Sequence, residues 1–97
     1  DLPIVPMENV ETPWYLRMVA EDRPGVLSRV ASIFSEQGIS IEALIQKAPA
    51  EGETRVPLIV LTNTARQGNV DAAVAGIEAL NTISGEVTRI RVETLDG

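Results

Sequence analysis

The residues best placed to do chemistry are Asp22-Arg23-Pro24-Gly25-Val26-Leu27. A strand-like run precedes them and a helical pattern follows. The first N–H groups of a helix have no intrahelical acceptor, and the helix dipole favours anions there. Gly25 lacks a Cβ, so another group can come close to the backbone. The amides of Gly25, Val26 and Leu27 would therefore receive a carboxylate, and Asp22 beside them would receive an ammonium. Such a corner suits a small zwitterion, and an amino acid is the natural candidate. A plainer reading stays open, in which Asp22 caps the helix and Pro24-Gly25 shapes the turn. The second candidate is Gly38-Ile39-Ser40-Ile41. Ser40 is polar on the non-core face of an otherwise apolar strand. Its hydroxyl would donate to a ligand held by a neighbouring subunit's turn, or simply be solvated.

Other residues offer less. Glu51 and Glu53 flank Gly52 in a turn and read as solvated; Asp71 and Glu78 fall on the polar side of a helix. Tyr15, Lys47, Thr62 and Thr64 have no evident base or partner. The 97-residue chain contains no His and no Cys, which removes imidazole bases, thiol nucleophiles, disulfides and the usual zinc ligands. No phosphate loop, dinucleotide fingerprint or nucleophile elbow occurs. The reading is a binding module without catalytic residues, metal or cofactor of its own. Eight Lys and Arg against 14 Asp and Glu give a net charge of −6, which argues against a nucleic-acid partner. No apolar run approaches the ~20 residues of a membrane span, so no membrane partner and a cytoplasmic setting are expected.

The elements that must position these residues follow from periodicity. Asp1 to Pro13, with Pro3, Pro6 and Pro13, reads as a linker from an upstream region. Trp14 to Ala20 is a strand with Leu16, Met18 and Ala20 on one face and Tyr15, Arg17 and Val19 on the other. A helix follows to about Gln37, carrying Val26, Leu27, Val30, Ala31, Ile33 and Phe34 as its apolar stripe, and Gly38 ends it. Ile39 to Ala48 is a second strand, with Ile39, Ile41, Ala43 and Ile45 alternating with Ser40, Glu42, Leu44 and Gln46. Pro49 to Thr54 is a turn. Val56 to Thr62 is a third strand, apolar on both faces, in which Pro57 is awkward for a central position. Asn63 to Gly68 is a loop. Asn69 to Leu80 is a second helix, with Asn69 or a neighbour as cap and Gly76 marking close packing. Asn81 to Glu86 is a loop and Val87 to Glu93 the last strand, leaving residues 94–97 as a tail. The order βαββαβ predicts an α+β fold of the ferredoxin-like kind, a four-stranded antiparallel plait with both helices on one face. The opposite face, with Tyr15, Val19, Leu44, Ile59 and Leu61, is too apolar for water. It, or a sheet edge beside it, should meet another subunit or domain.

Across Trp14 to Glu93, the Asp22–Leu27 segment, the Gly38–Ile41 segment and the element order resemble an ACT domain, an amino-acid-sensing regulatory module of metabolic enzymes. Tyr15-Leu16-Arg17, Gly38-Ile39-Ser40-Ile41-Glu42, Ile45-Gln46-Lys47 and Pro57 to Thr62 are similar to the C-terminal ACT domain of bacterial homoserine dehydrogenases, and Leu2 to Met7 resembles the connector ahead of it. The resemblance implies a parent that reduces aspartate semialdehyde to homoserine with NAD(P)H, in domains absent from this chain, under threonine feedback. It implies an effector held between Asp22, Gly25, Val26 and Leu27 of one copy and Ser40 and Ile41 of another, hence a homo-oligomer through ACT–ACT contacts. Ala20 stands where some serine-binding relatives place a His, and Asn63 replaces another His after the third strand. Two other readings remain: a dimerisation module that has lost its effector, and an ACT domain of another enzyme such as a phosphoglycerate dehydrogenase or a threonine dehydratase.

Overall fold

A computed structural model of the chain describes residues 9–92. The linker residues before Asn9, the end of the last predicted strand at Glu93 and the tail 94–97 lie outside the described residues. Eight elements occur in order: β1 (Glu11–Thr12), β2 (Trp14–Glu21), α1 (Val26–Glu36), β3 (Ile41–Gln46), β4 (Arg55–Thr62), β5 (Ala65–Arg66), α2 (Gln67–Glu78) and β6 (Ile83–Arg91). The main sheet has the order β3-β4-β2-β6, and every neighbouring pair is antiparallel. This is the expected ferredoxin-like plait.

One face of that sheet and both helices enclose the core. Trp14, Leu16, Met18 and Ala20 of β2 and Leu58 and Val60 of β4 meet Val26, Val30, Ile33 and Phe34 of α1 and Val70, Ala73, Val74 and Ile77 of α2. Removing a side chain of Leu or Phe size from water stabilises the fold by roughly 1.5–3 kcal/mol. Gly76 faces Ile33 of α1, but a Cβ there would sit at an ordinary 3.5 Å from Ile33 Cγ2, so the packing does not require glycine at this position. Gly38 has φ +72°, and the N–H groups of Gly38 and Ile39 donate to the carbonyls of Ser35 and Phe34, which closes α1 with a Schellman motif. Pro57 sits within the central strand β4 without breaking the β4–β2 ladder. Its carbonyl, and hence its ring nitrogen, faces the end of β3, where it accepts from the Lys47 N–H at 3.1 Å.

Several boundaries differ from the sequence reading. Glu11 and Thr12, within the stretch read as linker, pair with Ala65 and Arg66, within the stretch read as loop. The second helix begins at Gln67 with Arg66 in the cap position, and Asn69 instead donates to the Gln37 carbonyl at 3.2 Å. The last strand starts at Ile83, because Gly85 at φ +71° absorbs a bulge where β6 shifts register against Arg17 to Val19. A second register shift lies in β3 between Ile41 and Ala43. It inverts the alternation, so Leu44 pairs with core-facing Val60, while Ala43 and Ile45 pair with Leu61 and Ile59 on the helix-free face. Ile45 therefore replaces Leu44 on that face.

Candidate functional site

The β2–α1 turn holds the first group of candidates. β2 ends at Glu21, whose N–H donates to the Thr82 carbonyl at 2.8 Å, and the Asp22 N–H donates to the Thr54 carbonyl at 2.9 Å. These bonds fix the corner against the β3–β4 turn and the start of β6. Gly25 occupies the N-cap position of α1 with φ 87° and ψ −15°, and no side chain bonds the first turn. The expected capping by Asp22 does not occur. Asp22 lies three residues before the cap, and its Oδ1 accepts from Gln46 Nε2 at 3.1 Å.

Of the three amides expected to be open, Val26 N–H donates to the Arg23 carbonyl at 3.3 Å, and its side chain is buried. Among the described residues, the N–H groups of Gly25 and Leu27 have no backbone acceptor outside α1's own ladder. That ladder begins with Arg29 N–H donating to the Gly25 carbonyl at 2.9 Å, so Ser28 N–H is open as well. No acidic residue occupies the first turn of α1, so the nearby carboxylate of the turn is that of Asp22, three residues before the cap. Arg23 and Arg29 flank the turn, each already paired, with Glu21 at 3.1 Å and Glu36 at 3.5 Å. Ala20, Val26, Leu27, Val56 and Leu58 give the hollow beside Asp22 an apolar floor, and Gln46 forms part of its wall.

The second group lies at the other end of the sheet. Ser40 is exposed and its carbonyl accepts the Asn63 N–H at 2.9 Å; Ile41 is half-buried and pairs with Thr62. β3 then runs back along β4, so that Gln46, opposite Leu58, reaches Asp22. A single copy thus keeps Ser40 and Ile41 a full strand length away from Asp22, Gly25, Val26 and Leu27. Thr62, without a partner in the sequence reading, proves structural: its buried Oγ1 accepts the Trp14 N–H at 3.1 Å and donates to the Asn63 carbonyl at 2.8 Å.

Gln46 is the residue that sequence reasoning missed. The fold itself was the available signal, since a second strand antiparallel to the third must end beside the β2–α1 turn. Among the described residues, no group of His, Cys, Asp and Glu is arranged to hold a metal. No helix of the described residues is long and apolar enough to cross a membrane.

A family model described as "ACT domain" matches residues 14–79. A homoserine dehydrogenase of Methylobacillus glycogenes is 50% identical over 95 residues, which are 98% of this chain and 23% of that protein. The crystal structure of a homoserine dehydrogenase from Thiobacillus denitrificans superposes with a TM-score of 0.87 at 46% identity, covering 99% of this chain and 21% of that one. The ACT domain of a GTP pyrophosphokinase from Chlorobium tepidum shares the fold alone, with a TM-score of 0.65 at 12% identity. The chain spans about a fifth of the length of the homoserine dehydrogenases it matches.

Proposed function

This chain belongs to the ACT domain family, and from that premise we propose that it is the amino-acid-sensing regulatory part of a homoserine dehydrogenase, with threonine as effector and feedback inhibition as outcome. On this reading the parent reduces aspartate semialdehyde to homoserine with NAD(P)H in the cytoplasm. The chain's own strand-to-helix turn, with Gly25 as its single glycine, lacks the glycine-rich loop that cradles a dinucleotide. Cofactor binding and catalysis therefore belong to the rest of the parent.

One observation carries the proposal: the Asp22 carboxylate stands exposed beside a helix start whose Gly25, Leu27 and Ser28 N–H groups are open. A zwitterion would place its carboxylate on the amides and its ammonium on Asp22. The fold supports completion of the site by a second copy. Of the two edge strands, β6 is interrupted by its bulge, while β3 ends at Gln46 beside Asp22 and presents Leu44 and Ile45 at 36% and 44% exposure. Antiparallel, two-fold pairing of two β3 edges lays the start of one strand beside the end of the other. Ser40 and Ile41 of one copy would then stand next to Gln46 and Asp22 of the second. A ligand at that seam inhibits through its different affinity for two arrangements of the pair, a coupling of about 1–3 kcal/mol.

The Gln46–Asp22 hydrogen bond favours a second reading, in which the corner satisfies itself and the chain only dimerises. Titration calorimetry separates the two. Threonine should give a saturable heat, whereas the absence of heat with threonine, serine, methionine and isoleucine at millimolar concentration would leave dimerisation alone.

A further inference from the structure

The helix-free face of the main sheet is apolar over its central part, with the cation Arg17 near the middle and the charged pair Glu21 and Arg55 at one end. Register places Tyr15, Arg17 and Val19 of β2 on it, with Pro57, Ile59 and Leu61 of β4 alongside and Ile90 of β6 opposite Tyr15. Ile45 of β3 joins them opposite Ile59. Ile90 is 52% exposed and Ile45 44%, values that a closed interface would abolish. Arg17 lies in the middle of β2, opposite Ile59 on one side and Thr88 on the other, and none of the ion pairs among the described residues involves it.

We propose that this face docks onto an apolar surface bearing a carboxylate for Arg17, supplied by the rest of the polypeptide of which this chain is the regulatory part. The proposal rests on the reading of a longer parent. Two features select that occupant over a second copy stacked face to face. A two-fold axis through the centre of the sheet would bring the two Arg17 guanidinium groups together in an apolar interface, where neither is paired. Area points the same way. Four strands about 4.8 Å apart and seven residues of about 3.3 Å each give a face of roughly 450 Å², or about 900 Å² for both partners. That falls below the ~1,200–2,000 Å² of stable interfaces between free chains. It lies within the ~600–1,500 Å² of contacts between domains of one chain, where the tether supplies the effective concentration. Edge pairing along β3 leaves this face open, so the two contacts are compatible.

This chain contains no cysteine, so a thiol introduced on the face is identified by its own peptide. In the full-length polypeptide, Ile90→Cys should alkylate at least about tenfold more slowly than Glu36→Cys on the outer side of α1, although both positions are exposed in the chain by itself, read by peptide-resolved mass spectrometry against the urea-unfolded rate. Equal rates at the two positions would overturn the proposal. So would a disulfide-linked dimer formed on oxidation of Ile59→Cys, which keeps Arg17 and would put a second copy on the face. Adding Arg17→Glu to Ile90→Cys should restore labelling at position 90 to the Glu36→Cys rate; persistent protection would remove the carboxylate from the partner surface. The labelling needs no amino acid, so protection without a heat of threonine binding would refute sensing and leave the docking face standing.

Discussion

Asp22→Asn is the sharpest single perturbation of the amino-acid site. It removes one charge and keeps the shape of the side chain and an oxygen to accept from Gln46 Nε2, which lies 3.1 Å from Oδ1. Both residues are exposed and no side chain caps α1, so the folded state should lose at most a helix-dipole contribution of about 0.3–1 kcal/mol. The ligand loses more. A hydrogen bond to a charged group is worth about 1.5–3 kcal/mol, and at 1.4 kcal/mol per decade this is roughly a 10- to 150-fold weaker affinity. Calorimetric titration of both forms with threonine, beside their thermal unfolding, measures the two effects separately. Affinity within about twofold of the parent sequence, with the fold intact, would refute Asp22 as the ammonium partner.

Three further substitutions test the frame that holds the corner. Gly25→Ala forces a side chain into φ 87° and should cost about 1–2 kcal/mol, seen as a fall in Tm. Gly76→Ala should raise or preserve Tm, by up to about 1 kcal/mol of helix propensity, because its Cβ meets only Ile33 Cγ2 at an ordinary 3.5 Å; a fall beyond 1 °C would mean the helices cannot give. Thr62→Val leaves the buried Trp14 N–H without its acceptor and should destabilise by about 1–3 kcal/mol in urea unfolding, although Thr62 lies a strand length from Asp22 and only pairs across the ladder with Ile41.

Periodicity exposed the long elements. The α1 stripe from Val26 to Phe34 and the terminating Gly38 were legible because helix spacing and a left-handed C-terminal glycine are local signals. The paired strands β1 and β5 were not, since two residues each carry no period. Neither were the shifts in β3 and β6, which arise from fitting one strand to another; that in β3 sends Leu44 and Ile45 to faces opposite to those their parity predicts. At the proposed site, Asp22 and Gly25 stand out in the sequence by type and order. The role of Asp22 changed because the residue that engages it, Gln46, is 24 positions away and arrives only through the return of β3. The separation of Ser40 from Asp22 likewise became visible only from the sheet register.

Whether the receptor is built from two copies is tested most directly by mixing two defective chains. Asp22→Ala removes the acidic half of both sites in a symmetric pair, and Ser40→Arg blocks the other half at an exposed position. Neither variant alone should bind threonine. After exchange of subunits, half the pairs are mixed and each has one intact site, so binding should return at about a quarter of the unaltered stoichiometry. A mixture that stays silent, or full binding by Ser40→Arg on its own, would contradict a site shared across the β3 edges.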